Sequence, residues 1–171
     1  EVLFVKHFIS RRNFLKAAGV TAAASAMAAA VPQASAGFLT GKDAAVTILY
    51  TNDVHTYIDN KSPKLTYAAI AAMKQGYVDE GKPVLLVDAG DHIQGTAYGS
   101  MDDGATIIEL MNEAGYDIAT LGNHEFDYGM ARAKAIIKEA DFPYVSCNWV
   151  DLRTGLRVLP AVKLFPAGGK W

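Results

Sequence analysis

Leu121-Gly122-Asn123-His124-Glu125-Phe126-Asp127 decides how this chain is read, because it is the third member of a series. Two earlier turns, Asp53-Val54-His55 and Gly90-Asp91, also place polar donors directly after short apolar runs. An apolar run that ends in a loop delivers its polar side chains to one edge of a sheet. Three such loops can therefore bring Asp53, His55, Asp91, Asn123 and His124 together. Carboxylate, imidazole and amide oxygen are ligands for divalent metals. The set can hold two metal ions and keep one histidine for proton transfer to a leaving group, which points to phosphoryl-ester hydrolysis. Singly, each residue has a plainer reading: an Asp after a strand is often a turn former or helix cap, and Asn-His is often a turn. Three in succession are hard to obtain from turn chemistry alone.

Working outward, residues 46–50 and 84–87 are short apolar runs bounded by polar or Gly residues, residues 117–121 are similar, and residues 144–150 alternate enough for another strand. Ser62-Pro63 offers a cap and a first-turn proline for a helix over 65–78. A second helix is predicted over 104–113, stopped by Gly115, and a third over 128–140. Strand, loop and helix in alternation imply an α/β fold with parallel pairing and functional loops at the carboxyl ends of the strands. Residues 156–165 also have strand character, followed by Pro166-Ala167-Gly168-Gly169 as if a hairpin were cut short. There is no internal repeat.

Three segments, Tyr50-Thr51-Asn52-Asp53-Val54-His55, Asp88-Ala89-Gly90-Asp91-His92-Ile93-Gln94-Gly95-Thr96 and the 121–127 stretch, together resemble the 5'-nucleotidase family of calcineurin-like metallophosphoesterases, over residues 46–149. The resemblance implies that Asp53 and His55 bind one metal, Asp91 bridges both, and Asn123 binds the other. It implies that His124 is not a ligand but the catalytic group at the phosphoryl group or leaving oxygen, oriented by Asp127, so that Asn123 and His124 also face substrate. It further implies an α/β/β/α sandwich, of which this chain holds about the first half. The family draws its remaining ligands from downstream histidines, the last in a Gly-His-x-His-like motif, and binds the nucleoside through a separate carboxyl-terminal domain. Residues 37–171 are accordingly expected to be the amino-terminal portion of a longer or truncated reading frame. The histidines here are His7, His55, His92 and His124, so the second ion is expected to have only Asp91 and Asn123 and a low affinity.

Metal ions of this kind acidify bound water to about pKa 7, which provides a nucleophile without a side-chain base. The mixed oxygen and nitrogen donors suit zinc, manganese, iron or cobalt. Asp88 reads equally as a support for the ligands or as a cap. His92 stays unassigned, since a strand-end histidine is more often hydrogen-bonded than catalytic, and Glu125 suggests no role.

Ser10-Arg11-Arg12-Asn13-Phe14-Leu15-Lys16, an Ala-rich apolar stretch and Ala34-Ser35-Ala36 resemble a twin-arginine export signal over residues 1–36, cleaved after Ala36. The stretch 17–31 has about fifteen residues where spanning a bilayer takes about twenty, so no stable membrane span is expected. The twin-arginine machinery becomes a partner, and a bacterial periplasmic or cell-surface location follows. Without residues 1–36, the 16 basic and 18 acidic residues lose Lys6, Arg11, Arg12, Lys16 and Glu1, leaving a net charge of −5. That balance excludes the electrostatic footprint of a duplex nucleic-acid binder and leaves a small phosphate ester or nucleotide as the expected substrate. Cys147 is the one cysteine, so neither an internal disulfide nor a Cys-type zinc cluster is available, and it is expected in the core. Three functions stay open: a 5'-nucleotidase-type phosphoesterase; a catalytically inactive metal-binding remnant; or the same scaffold acting on cyclic nucleotides, sugar nucleotides or sulfur esters.

Overall fold

The computed structural model describes residues 46–58 and 66–165. The export-signal segment, the Ser62-Pro63 pair and the Pro166 to Gly169 ending lie outside the described residues.

Strand β1 (Thr47–Thr51) is followed by helix α1 (Tyr67–Asp79), strand β2 (Val84–Asp88), the short helix α2 (Ala97–Ser100), helix α3 (Ala105–Ala114) and strand β3 (Ile118–Ala119). A one-turn 3-10 helix (His124–Phe126) and helix α4 (Gly129–Glu139) complete the order. The sheet runs β1-β2-β3, all parallel, with Thr51 paired to Asp88 and Asp88 to Ala119. Parallel neighbours need crossover connections, which the helices supply. The consequence for function is positional: Thr51, Asp88 and Ala119 end on one line, so the loops that follow them open on a single edge.

The core lies between β2 and the helices. Ile107, Ile108 and Met111 of α3 are fully buried and meet Leu86 of β2, Ile70 of α1 and Ile136 of α4 in one cluster with Tyr116, Phe142 and Tyr144. Each such side chain contributes about 1.5–3 kcal/mol by leaving water. Helix α3 ends where the sequence predicts. Gly115 takes a left-handed φ of 76°, its N–H bonds to the carbonyls of Met111 and Asn112, and the Tyr116 N–H reaches Met111 O. That is the glycine-terminated cap of a helix. The other side of β1 carries Ile48 and Tyr50, 60 % and 73 % exposed, in register with Leu85 and Val87.

Several boundaries differ from the sequence reading for local reasons. Helix α1 starts at Tyr67 rather than at residue 65, because Thr66 is the cap: its Oγ1 accepts from Ala69 N at 3.2 Å. The expected strand over 144–150 is reduced to an isolated bridge at each end, Tyr144 parallel to Ala119 and Val150 antiparallel to Arg157. Between them, Ser146 Oγ donates to Asn148 Oδ1 and accepts from Trp149 N, a local turn that replaces ladder bonding. Cys147 sits in that turn and is exposed, not in the core. Within 156–165 only Arg157 pairs, antiparallel to Val150, and Pro160 lacks the N–H that would extend a ladder.

Candidate functional site

The loops after β1 and β2 are stitched together by their backbones. Asp53 N–H donates to Gly90 O at 3.1 Å, and His55 N–H to Asp91 O at 3.0 Å. The stitching requires unusual backbone: Asp53 (φ 52°), His55 (46°), Thr56 (57°) and Asp91 (57°) all lie in the left-handed region. Asp and His tolerate it better than most residues, whereas a β-branched threonine is an outlier, and such strain persists only where the surroundings over-determine it. The third loop approaches just as closely. A Cβ on Gly122 would lie 2.2 Å from Asp91 Oδ1, and one on Gly90 2.4 Å from Gly122 N, so only glycine lets these turns meet.

What over-determines Thr56 is a reciprocal pair with Thr96. The Thr56 Oγ1 accepts from Thr96 N at 2.7 Å and lies 2.7 Å from Thr96 Oγ1, which donates to Thr56 O at 3.0 Å. Thr56 is fully buried. Thr56→Val keeps the shape and removes the hydroxyl, leaving the Thr96 N–H without its acceptor. Urea denaturation is expected to show a loss of about 1–3 kcal/mol, and an unchanged midpoint would show that the pair does not hold the loop.

His55 Nδ1 donates to Gln94 O at 3.0 Å, which leaves Nε2 free to accept a cation. Asp53 Oδ1 stands 3.6 Å from that Nε2, and its other oxygen accepts from Asn52 Nδ2. Asp91 Oδ1 accepts from His124 N at 2.8 Å. One donor atom each from His55, Asp91 and His124 lies within 4.8 Å of the others, a grouping that can hold a metal ion. The His55 and His124 rings stand edge to face, with centroids 5.0 Å apart. His124 Nδ1 donates to Asp127 Oδ2 at 2.7 Å, and chiefly this bond holds the imidazole above the ordinary histidine range. Asn123 is exposed at the start of the same turn. Of the residues singled out by sequence, Asp53, His55, Asp91, His124 and Asp127 thus share one edge, and Asn123 adjoins them. The chemistry of these donors fits one divalent cation.

Behind this edge lies a polar layer. His92 is fully buried, with Nδ1 donating to Asp88 Oδ1 at 2.7 Å and Nε2 paired with the Tyr144 hydroxyl at 2.8 Å. Burial lowers the imidazole pKa, but the bond to Asp88 and the charges of Asp88, Glu125 and Asp91 outweigh it, so the net shift is upward. Asp88 also accepts from Thr51 Oγ1 and Gly90 N. It therefore ties the ends of β1 and β2 together, and His92 is a strut between β2 and the Tyr144 bridge. Glu125, for which sequence alone suggests no role, is fully buried and accepts from the backbone N–H groups of Asp91, His92 and Gly122. The one sequence signal for it is the crowd of loop amides in Gly90-Asp91 and Gly122, which must find an acceptor somewhere.

Residues 46–170 match the calcineurin-like phosphoesterase family, and residues 9–31 match the TAT (twin-arginine translocation) pathway signal sequence. A snake venom 5'-nucleotidase from Gloydius brevicauda is 40% identical over 114 residues, covering 60% of this chain and 19% of that one. The 5'-nucleotidase of Bos taurus is 38% identical over 115 residues, covering 60% and 20%. The chain thus spans about a fifth of the length of these curated relatives. Among solved structures, the calcineurin-like phosphoesterase YfkN from Bacillus subtilis superposes with a TM-score of 0.56 at 35% identity, covering 67% of this chain and 40% of that one.

Proposed function

The chain belongs to the calcineurin-like phosphoesterase family, and from that premise we propose that it is an exported, metal-dependent phosphoesterase of the 5'-nucleotidase type. The observation that carries the reading is the convergence of His55, Asp91 and His124 donor atoms within 4.8 Å, beside a His124–Asp127 pair at 2.7 Å. In this reading Asp53, His55, Asp91 and Asn123 would hold the cations, neutral Asn123 contributing a ligand oxygen without adding charge. The cations, when bound, supply Lewis-acid activation of water and neutralise the phosphoryl charge. The protein's own contribution is positional and protonic. His124, held through Nδ1 by Asp127, gives its Nε2 proton to the leaving alkoxide, and Asn123 and His124 orient the phosphoryl group.

The substrate is a nucleoside monophosphate or a related nucleotide. The net charge of −5 after residue 36 leaves phosphate recognition to the cations and to His124, with no basic stripe for a duplex. The twin-arginine segment at residues 9–31 makes its export machinery a partner and supports the periplasm or cell surface as the location. Among the described residues no helix is long and apolar enough to cross a membrane.

The test is turnover of a nucleoside monophosphate by the full gene product after chelation and after re-addition of manganese or zinc. Hydrolysis is expected to vanish with the chelator and to return with the metal; hydrolysis indifferent to both overturns the reading. A second reading, metal binding without turnover, is favoured by one observation. Of the imidazoles among the described residues, His92 is committed to Asp88 and Tyr144, which leaves two for a pair of ions. Calorimetric metal binding with no hydrolysis of any of a panel of nucleotides, cyclic nucleotides, sugar nucleotides and sulfur esters, each followed by chromatography of its own products, would favour it.

A further inference from the structure

Glu125 stands apart from the donors just described, since it is fully buried and offers nothing to solvent. Its Oε2 accepts from Asp91 N at 2.8 Å and from Gly122 N at 2.6 Å, and its Oε1 from His92 N at 2.8 Å and, more weakly, from Ile93 N at 3.4 Å. One carboxylate thus joins the loop after β2 to the loop after β3. A buried charge is tolerable there because inward-pointing amides supply partial positive charge, and because His92 Nδ1 lies 3.6 Å from Oε1.

The geometry has a consequence for Asp91 in particular. Its backbone, at φ 57°, is held by the Glu125 carboxylate through the N–H, while its side chain is held by the next residue back, since Asp91 Oδ1 accepts from His124 N. Residues 124 and 125 therefore grip Asp91 from both ends. The same carboxylate also fixes Gly122, against which the Asp91 carboxylate packs.

We infer that Glu125 is a positioning residue, a clamp that sets the Asp91 carboxylate against His55 and His124 and so tunes cation affinity without touching the cation. The inference rests on the phosphoesterase reading above for its chemical purpose. A residue that merely stabilised the fold would change melting behaviour but not the properties of the folded fraction. Glu125→Gln keeps the length of the side chain but puts an NH₂ group where two amide donors now point, so half of the clamp is lost.

In the full gene product, E125Q is expected to weaken manganese or zinc binding by about 10- to 100-fold, measured by calorimetry. At saturating metal, kcat is expected to stay reduced while KM for a nucleoside monophosphate is unchanged. In the wild-type protein, hydrogen exchange at the amides of Asp91, His92 and Gly122 is expected to be as slow as in the β2 core, a measurement that needs no variant to fold. Folded E125Q with wild-type metal affinity and kcat, or exchange at those amides as fast as at exposed loops, overturns the inference. Wild-type protein that binds metal and hydrolyses no ester counts against the phosphoesterase reading alone, since the calorimetric comparison and the exchange rates still decide the clamp.

Discussion

His124→Ala is expected to lower kcat on a nucleoside monophosphate by about 10²- to 10⁴-fold, with the bound metal retained. The reason is the division of labour at the imidazole. Nδ1 is committed to Asp127 at 2.7 Å, which raises the proton affinity of the ring and leaves Nε2 to deliver a proton. A ribose alkoxide is a poor leaving group and needs that proton; an activated aryl phosphate needs it far less. The loss should therefore shrink on the aryl ester, and steady-state rates on the two substrates check it. Because the His124 donors also lie within 4.8 Å of those of His55 and Asp91, metal content has to be measured on the same sample. A variant that loses its metal, and with it equal rate on both esters, would make His124 a ligand instead of an acid.

Asp91→Ala has the larger expected effect on binding. Removal of this carboxylate takes away an anionic donor placed between the first and third loops, and it leaves the His124 N–H without the acceptor it now has at 2.8 Å. Support residues around a metal are typically worth 10- to 100-fold in affinity, and Asp91, as the carboxylate proposed to hold the ions, is expected to exceed that, with turnover falling below detection. Elemental analysis after dialysis, alongside the kcat assay, is the measurement. Stoichiometric metal in the variant would remove Asp91 from the site.

The parts of the fold that were legible in the sequence are those that local punctuation defines. Gly115 announced the end of α3, and the apolar runs at 46–50 and 84–87 fall on β1 and β2 to within a residue. Thr66 was harder to see as a cap because Ser62-Pro63, just upstream, offered a competing start. The strand predicted over 144–150 failed because a serine side chain can outbid a sheet ladder for nearby backbone groups, as Ser146 does. In the site, Asp53, His55, Asp91 and His124 are visible because three successive loops place such donors after apolar runs, a coincidence that turn chemistry alone does not readily produce. Glu125 was hard to see because three of its four partners are main-chain amides 32 to 34 positions away in sequence, with Gly122 alone nearby, and no side-chain pattern encodes them. The same holds for the Thr56–Thr96 pair, where two unremarkable threonines become a lock only after the chain has folded.

Because β1, β2 and β3 all deliver to one edge, a chain still emerging from the ribosome cannot bring the donors of His55, Asp91 and His124 together until residue 124 is out, however early its first aspartate appears. The assembly of these donors is thus a late event in the life of the polypeptide, set by the order of synthesis.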